Sequence, residues 1–255
     1  MLKFSKANAK IKALATVESL LPFLSGGRKV YSYDSGLSGW TCPGAKDCLA
    51  KVHIIDGRRK VVDGPDMQFR CFSASQEALF TPVYNARKAN FDYLRSLKTT
   101  ENMSAGIVNS IPDDCGIVRI NVAGDIFSQD YFDAIVLTAN AVPSVLFYAY
   151  TKSMNFWIKR LDMIPKNLVL TASYGGRYDN LIQEYNLRYA KVVFSVSEAE
   201  KLELEIDSDD SHAADPSRKN TNFALLIHGT QAAGSEAGEA LRALKGKGSY
   251  GRGNK

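Results

Sequence analysis

From residue 116 onward, short apolar runs alternate with amphipathic stretches, and nothing else in the chain constrains its fold as much. The runs cover 116–122, 144–150, 167–172, 191–195 and 223–227. A strand that is apolar on successive residues has no face to turn to solvent, so it must be covered on both sides, as in a parallel sheet flanked by helices. Helices are expected over 131–140, 155–161, 181–185 and 236–244, where apolar residues recur every three or four positions. Counting Lys29–Tyr33 as a first strand gives about six βα units. The expected fold is α/β, a partial (β/α)6-type barrel, with an open doubly wound sheet as the second arrangement.

The first half of the chain is less regular. A helix is expected over 3–24, stopped by Gly26-Gly27, within a leading segment 1–28. Residues 51–55 and 58–62 are two β-prone runs joined by Asp56-Gly57, the pattern of a tight β-hairpin. That hairpin reads as an insertion in a loop spanning 40–72. Helices over 75–97 and 101–110 follow. The main domain is expected over 29–244, and 245–255 reads as a basic, Gly-rich, disordered tail. Net charge is +5, and Lys245, Lys247, Arg252 and Lys255 hold much of the excess, so a phosphate-contacting arm is the alternative for the tail.

No apolar run approaches the ~20 residues that span a bilayer, and no secretory h-region follows the basic N-terminus. The expectation is a cytoplasmic protein with no membrane contact, in a compartment where thiols stay reduced. Clustered cysteines then point to metal or redox chemistry. Cys42, Cys48 and Cys71 all fall within the loop 40–72, among Gly, Pro and Asp turn residues that suit neither helix nor strand. Zinc sites show paired C-x₂₋₄-C spacing, which is absent here, whereas iron–sulfur clusters accept irregular spacing. The expected metal ligands are therefore Cys42, Cys48 and Cys71, holding an iron–sulfur cluster, [4Fe–4S] first, with zinc as the alternative. Cys115 is the candidate fourth ligand, or else a small core residue. His53, in the hairpin, is expected at the surface.

Reactive positions in such sheets lie where strands run out. Those positions are polar in every unit: Asp34, Asp125, Thr151-Lys152, Ser173, Ser197-Glu198 and His228. Asp125, Ser173 and His228 are the candidate cofactor-binding residues; Asp125 as a helix cap is the competing reading. Arg119 and Asn121 alternate within their strand and so share a face, which favours an internal site over a plain core. Tyr148, Tyr150 and Lys152 share another face. Ser173-Tyr174-Gly175-Gly176-Arg177 offers a turn for a phosphate or carboxylate. Asp207, Asp209, Asp210 and His212 form either a solvated loop or a hard-cation site. No G-x-S-x-G, H-E-x-x-H, P-loop or G-x-G-x-x-G pattern occurs, which argues against hydrolase, zincin, NTPase and dinucleotide functions. No catalytic residue is assigned.

Several stretches together resemble the bacteriophage gene product 88 family over residues 30–240. They are Trp40-Thr41-Cys42-Pro43-Gly44-Ala45 through Cys48, Arg70-Cys71-Phe72-Ser73-Ala74-Ser75, Val122-Ala123-Gly124-Asp125-Ile126-Phe127, Tyr148-Ala149-Tyr150-Thr151-Lys152 and Ala172-Ser173-Tyr174-Gly175-Gly176. The resemblance implies a phage protein acting in the host cytoplasm. A more distant likeness is to radical S-adenosylmethionine enzymes, in which three cysteines follow the first strand of a partial barrel and a Gly-Glu-type motif ends the second. Cys42, Cys48, Cys71 and Gly124-Asp125 occur in that order, but without the compact C-x₃-C-x₂-C loop. That likeness implies S-adenosylmethionine as a cosubstrate and a nucleotide or nucleic acid as substrate, with Asp125 taking the cofactor's amino group. The alternative is a non-enzymatic protein whose metal staples the loop and which binds a host protein or nucleic acid.

Overall fold

The computed structural model describes residues 1–245. Short strand β1 (Ser5–Lys6) is followed by helices α1 (Ala9–Lys12) and α2 (Leu21–Leu24), then by strand β2 (Lys29–Tyr33). The hairpin β3 (Ala50–Ile55) and β4 (Arg58–Asp63) comes next, then helices α3 (Phe72–Leu79), α4 (Thr81–Ser96) and α5 (Thr100–Val108). The alternating part runs β5 (Cys115–Ile120), α6 (Gln129–Ala141), β6 (Leu146–Thr151), α7 (Met154–Trp157), β7 (Leu168–Ser173), α8 (Asn180–Glu184) and β8 (Tyr189–Val193). It ends with α9 (Val196–Lys201), β9 (Glu205–Ile206), α10 (Ser211–Ala214), β10 (Phe223–Leu226) and α11 (Glu236–Ala243).

Eight of these strands form one sheet in the order β1-β2-β5-β6-β7-β8-β10-β9. Strands β2, β5, β6, β7, β8 and β10 are mutually parallel and follow one another in chain order. The order reverses only at the edge, where the two-residue β9 lies outside β10, so the six main strands lack the central switch point of a doubly wound fold. It is not a closed barrel either. β1 pairs antiparallel with the outer edge of β2, and β9 pairs with the outer edge of β10, so both edges that closure would need to join are taken. The (β/α)6-type barrel expected from the sequence is thus replaced by an open, mostly parallel eight-stranded sheet.

Alternate residues of each strand bury on opposite faces. One face packs Tyr31, Val118, Ile120, Phe147, Leu168 and Leu170 against Tyr131, Phe132 and Ile135 of α6 and Trp157 of α7. The other packs Val30, Ile117, Leu146, Tyr148, Val169 and Phe223 against Ile11, Leu14, Leu20, Ala213 and Ala214. The leading segment therefore covers the second face. It does so as a broken chain, not as the continuous helix expected over 3–24. Val17 is extended (φ −83°, ψ 115°), and Pro22 is tolerated only in the first turn of a helix. Proline also divides the helix expected over 75–97: Pro82 has no N–H to continue the ladder, and Phe80 is extended between α3 and α4.

The hairpin forms as its turn residues require, with Asp56 and Gly57 both left-handed (φ 53° and 71°). Elements α9, β9 and α10 were not anticipated. The tail from 246 to 255 lies outside the described residues.

Candidate functional site

A cavity of about 470 Å³ opens where the parallel strands run out at their C-terminal ends. All six residues singled out from the sequence line it: Cys42, Cys48, Cys71, Asp125, Ser173 and His228. They arrive on five different segments. Cys42 and Cys48 come from the loop after β2, Cys71 from the residue before α3, Asp125 from the end of β5, Ser173 from the end of β7, and His228 from beyond β10.

The cysteine loop is held by backbone bonds to the neighbouring strand ends. Asp47 N–H donates to the Gly175 carbonyl (2.9 Å), Arg177 N–H to the Gly44 carbonyl (2.8 Å) and Asp125 N–H to the Thr41 carbonyl (3.2 Å). The segment bearing Cys71 is tied by Gln231, which accepts from Arg70 N–H (2.7 Å) and donates to the Arg70 carbonyl (3.1 Å). All three thiols are free and half-buried. Burial pushes the Cys42 thiol well above its usual range, with Asp125 adding to the effect, and pushes Cys48 up to about 11 despite the opposing field of Lys152. Without a metal these two thiols keep their protons at neutral pH. Among the described residues no group of three or more His, Cys, Asp or Glu side chains is placed to hold a metal ion. Cys115 does not join the others. It opens β5, at the far end of the strand from the cavity, and packs in the core, where burial pushes its thiol up to about 12.

Asp125 is buried and spent on protein donors. One oxygen accepts from Ile126 N–H and Thr151 Oγ1 (both 2.7 Å), the other from Lys152 N–H (2.8 Å) and Ser153 Oγ (3.4 Å). A carboxylate offers about four lone-pair sites, so this one ties the ends of β5 and β6 together and has little left for a ligand's amino group. Lys152 is similarly engaged. Its Nζ donates to Ser173 Oγ (2.8 Å), to the Ser173 carbonyl (3.1 Å) and to the Tyr174 carbonyl. His228 Nδ1 lies 3.0 Å from the Leu226 carbonyl, which can only accept, so Nδ1 carries the proton. Burial lowers this imidazole to about 4 and keeps it neutral.

The floor is built around Asp210, which is 0% exposed. It pairs with Lys10 (2.6 Å) and Arg119 (2.5 Å) and accepts from the Tyr148 hydroxyl (3.1 Å). Burial opposes its ionisation, but the two cations outweigh that and hold the carboxyl below its ordinary value. The acidic stretch 207–212 is thus not a solvated loop, since Asp207, Asp210 and His212 are all buried. Asp207 accepts from Asp209 N–H, Asp209 from Ser211 N–H, and His212 meets Glu205 at 2.7 Å. Sequence reasoning missed Lys10 entirely, because a lysine in a presumed amphipathic helix looks solvent-facing.

Other rim candidates lie elsewhere. Asp34 is engaged by Arg87 (2.8 Å) and by Ala123 N–H (2.8 Å). Ser197-Glu198 opens α9, where Ser195 accepts from Glu198 N–H and Glu198 accepts from Phe194 N–H, a capping arrangement. The Gly175 and Gly176 N–H groups, offered for a phosphate, both donate to Asp179 (2.9 Å each). His53 packs half-buried against Trp40, with ring centres 5.0 Å apart.

The chain belongs to the gene product 88 family, a phage family whose model it matches over residues 2–246. No curated protein and no solved structure matches it, so the likeness to radical S-adenosylmethionine enzymes finds no support there. No helix among the described residues is long and apolar enough to cross a membrane.

Proposed function

We propose that the cavity is an active site in which Cys42, Cys48 and Cys71 carry an iron–sulfur cluster beside a bound small molecule. One observation carries this reading: three free thiols from separate parts of the loop 40–72 line a single cavity at the strand ends. Sulfur is a soft ligand, suited to iron–sulfur clusters and zinc. A single tetrahedral zinc would draw its sulfurs to about 4 Å from one another. A multi-iron cluster spreads them further.

Burial holds the Cys42 and Cys48 thiols protonated, so metal binding must displace their protons. Cys71 stands at the N-terminus of α3 with its sulfur not used as a helix cap, and the field of Lys152 partly offsets the burial of Cys48. When bound, a cluster of this kind supplies one-electron chemistry. The chain's own part is to hold the loop rigid through Asp125 and Lys152 and to keep His228 neutral beside the cavity. Anaerobic purification tests the reading: a brown protein with iron, sulfide and a band near ~400 nm that dithionite bleaches is expected. A colourless protein with stoichiometric zinc contradicts it, and leaves a metal-stapled protein that binds a host factor or nucleic acid.

A narrower version adds S-adenosylmethionine as cosubstrate. It is favoured by six parallel strands in chain order, with the cysteines after the first and Gly124-Asp125 after the second. Its amino group must then find acceptors other than Asp125. Release of 5′-deoxyadenosine on reduction supports this version, and its absence from a bleachable protein removes it.

A further inference from the structure

The hairpin of β3 and β4 has one face packed and the other open. Its inner face carries Ala50, Val52 and Val61, which cluster with Ala74 and Ala78 of α3 and Tyr84 of α4. Successive side chains of a strand point to opposite sides, so Lys51, His53 and Ile55 of β3 face the other way. Their cross-strand partners are Val62, Lys60 and Arg58. Of these six, Ile55, Arg58, Lys60 and Val62 are exposed, and Lys51 and His53 are half-buried.

Trp40 lies on this outer face. Lys51 Nζ is 4.6 Å from its ring centre, and the His53 ring is 5.0 Å away. Gly39 makes the approach possible. It is left-handed (φ 71°), and a Cβ there would stand 2.5 Å from the Ala50 carbonyl oxygen, so the chain passes directly against β3. The indole N–H donates to the Val52 carbonyl (3.1 Å), which fixes the ring, yet the residue stays 51% exposed. A large aromatic side chain anchored in place and left open to solvent is a surface ready for another flat ring.

The charges around it say what carries that ring. The outer face forms three cross-strand rows, Lys51–Val62, His53–Lys60 and Ile55–Arg58, about 7 Å apart along the strands. Each row sets one cation beside an apolar or aromatic side chain, and no carboxylate belongs to the face. Neither Lys51 nor Arg58 is ion-paired among the described residues, and Asp56 in the turn meets Lys60 only at 3.5 Å, an exposed pair that water screens. Repeated cations beside an open indole match a strand whose phosphates repeat and whose bases are unpaired and free to stack. A duplex keeps its bases stacked on one another and leaves the indole unused.

We infer that Trp40 and the outer face of the hairpin bind single-stranded nucleic acid, with a base on the indole and phosphates on Lys51, Arg58 and Lys60. Lys51, on its flexible stem, swings off the ring as the base arrives and takes a phosphate. The surface uses no thiol and no metal, so it stands or falls separately from the cluster.

The test is binding of short oligo(dT) and oligo(U) to the full chain, read by anisotropy of a labelled strand and by tryptophan emission. Binding of either is expected, and the tighter probe names the strand. Emission is expected to be quenched, because the other tryptophan, Trp157, is only 8% exposed. Trp40→Ala is expected to weaken binding about fivefold or more. Arg58→Ala combined with Lys60→Ala leaves the ring in place and removes two phosphate contacts, so the slope of log K against log salt should fall in magnitude by about 1.4. Both side chains are exposed, so this double variant is expected to fold and decides the matter should Trp40→Ala not fold. The basic tail is common to every variant and cannot cause a difference between them. No binding, unquenched emission, unchanged affinity in folded Trp40→Ala, an unchanged salt slope, or duplex or polyglutamate bound as tightly overturns the inference.

Discussion

Gly44→Ala is the substitution whose effect the structure specifies most closely. A Cβ built at Gly44 would stand 2.2 Å from the Lys152 carbonyl oxygen, 2.6 Å from its carbonyl carbon and 3.2 Å from Ser153 N. All three are backbone atoms and cannot swing aside. Nor can their segment retreat cheaply, because Asp125 accepts from Lys152 N–H and the Thr151 hydroxyl accepts from Ser153 N–H. The cysteine loop must therefore back off by about 1 Å or more to restore van der Waals contact. That movement strains the Arg177 and Asp47 bonds, and overpacking of this kind costs about 1–3 kcal/mol. In a chain of this length each kcal/mol lowers Tm by roughly 2–4 °C, so a fall of about 2–12 °C is expected.

Because Cys42 and Cys48 flank Gly44 on that loop, the variant is also expected to lose most of its metal. Gly57→Ala is the control. It places a side chain at a left-handed position (φ 71°) in open space at the hairpin tip, costing about 1 kcal/mol while leaving the thiols alone. Melting curves with iron analysis on both variants decide the matter. A Gly44→Ala protein that melts and binds metal like wild type refutes the docking of this loop as the device that positions the thiols.

Other perturbations separate the cavity's parts. Cys71→Ala should abolish metal retention with little change in melting, whereas Cys115→Ala should keep the metal and cost about 1 kcal/mol from its core contacts, read by urea unfolding. Asp210→Asn leaves Lys10 and Arg119 facing each other without their shared carboxylate and should cost about 3–5 kcal/mol. The depressed folded value of Asp210 also places its stabilisation above the unfolded carboxyl range, to be lost as acid titrates the folded group. His228 acts at higher pH. It titrates near 4 when folded and near 6.5 when unfolded, so its contribution is complete above pH 6.5 and lost as pH falls toward 4. In His228→Asn, whose amide can keep the bond to Leu226, the drop in urea midpoint between pH 7 and pH 5 should be smaller than in wild type.

The regular half of the fold was legible because buried parallel strands write themselves as unbroken apolar runs; β5, β6, β7, β8 and β10 all fall within or beside the expected positions. The hairpin was legible from Asp56-Gly57 alone. Closure of the sheet was not, since it depends on what pairs with the outer edges of β2 and β10, and two-residue strands such as β1 and β9 carry no periodicity. Among the residues that line the cavity, the thiols, Asp125, Ser173 and His228 stand out in the sequence by their places at strand ends and in the turn-rich loop. The floor was hidden because its ion pairs join positions far apart in the chain, Lys10 and Arg119 to Asp210. An Asp-rich stretch reads as solvated until its cations are known. Asp125 shows the opposite error: a carboxylate at the right place proved to be a fastening between two strand ends.

The claim on which the rest depends is that three thiols serve one inorganic centre, and iron-edge X-ray absorption on anaerobically prepared protein tests it most directly. The expected spectrum has a first shell of sulfur around iron and an iron–iron scatterer beyond it. A first shell of nitrogen and oxygen, a mononuclear metal, or no bound metal would contradict the assignment of Cys42, Cys48 and Cys71 as cluster ligands.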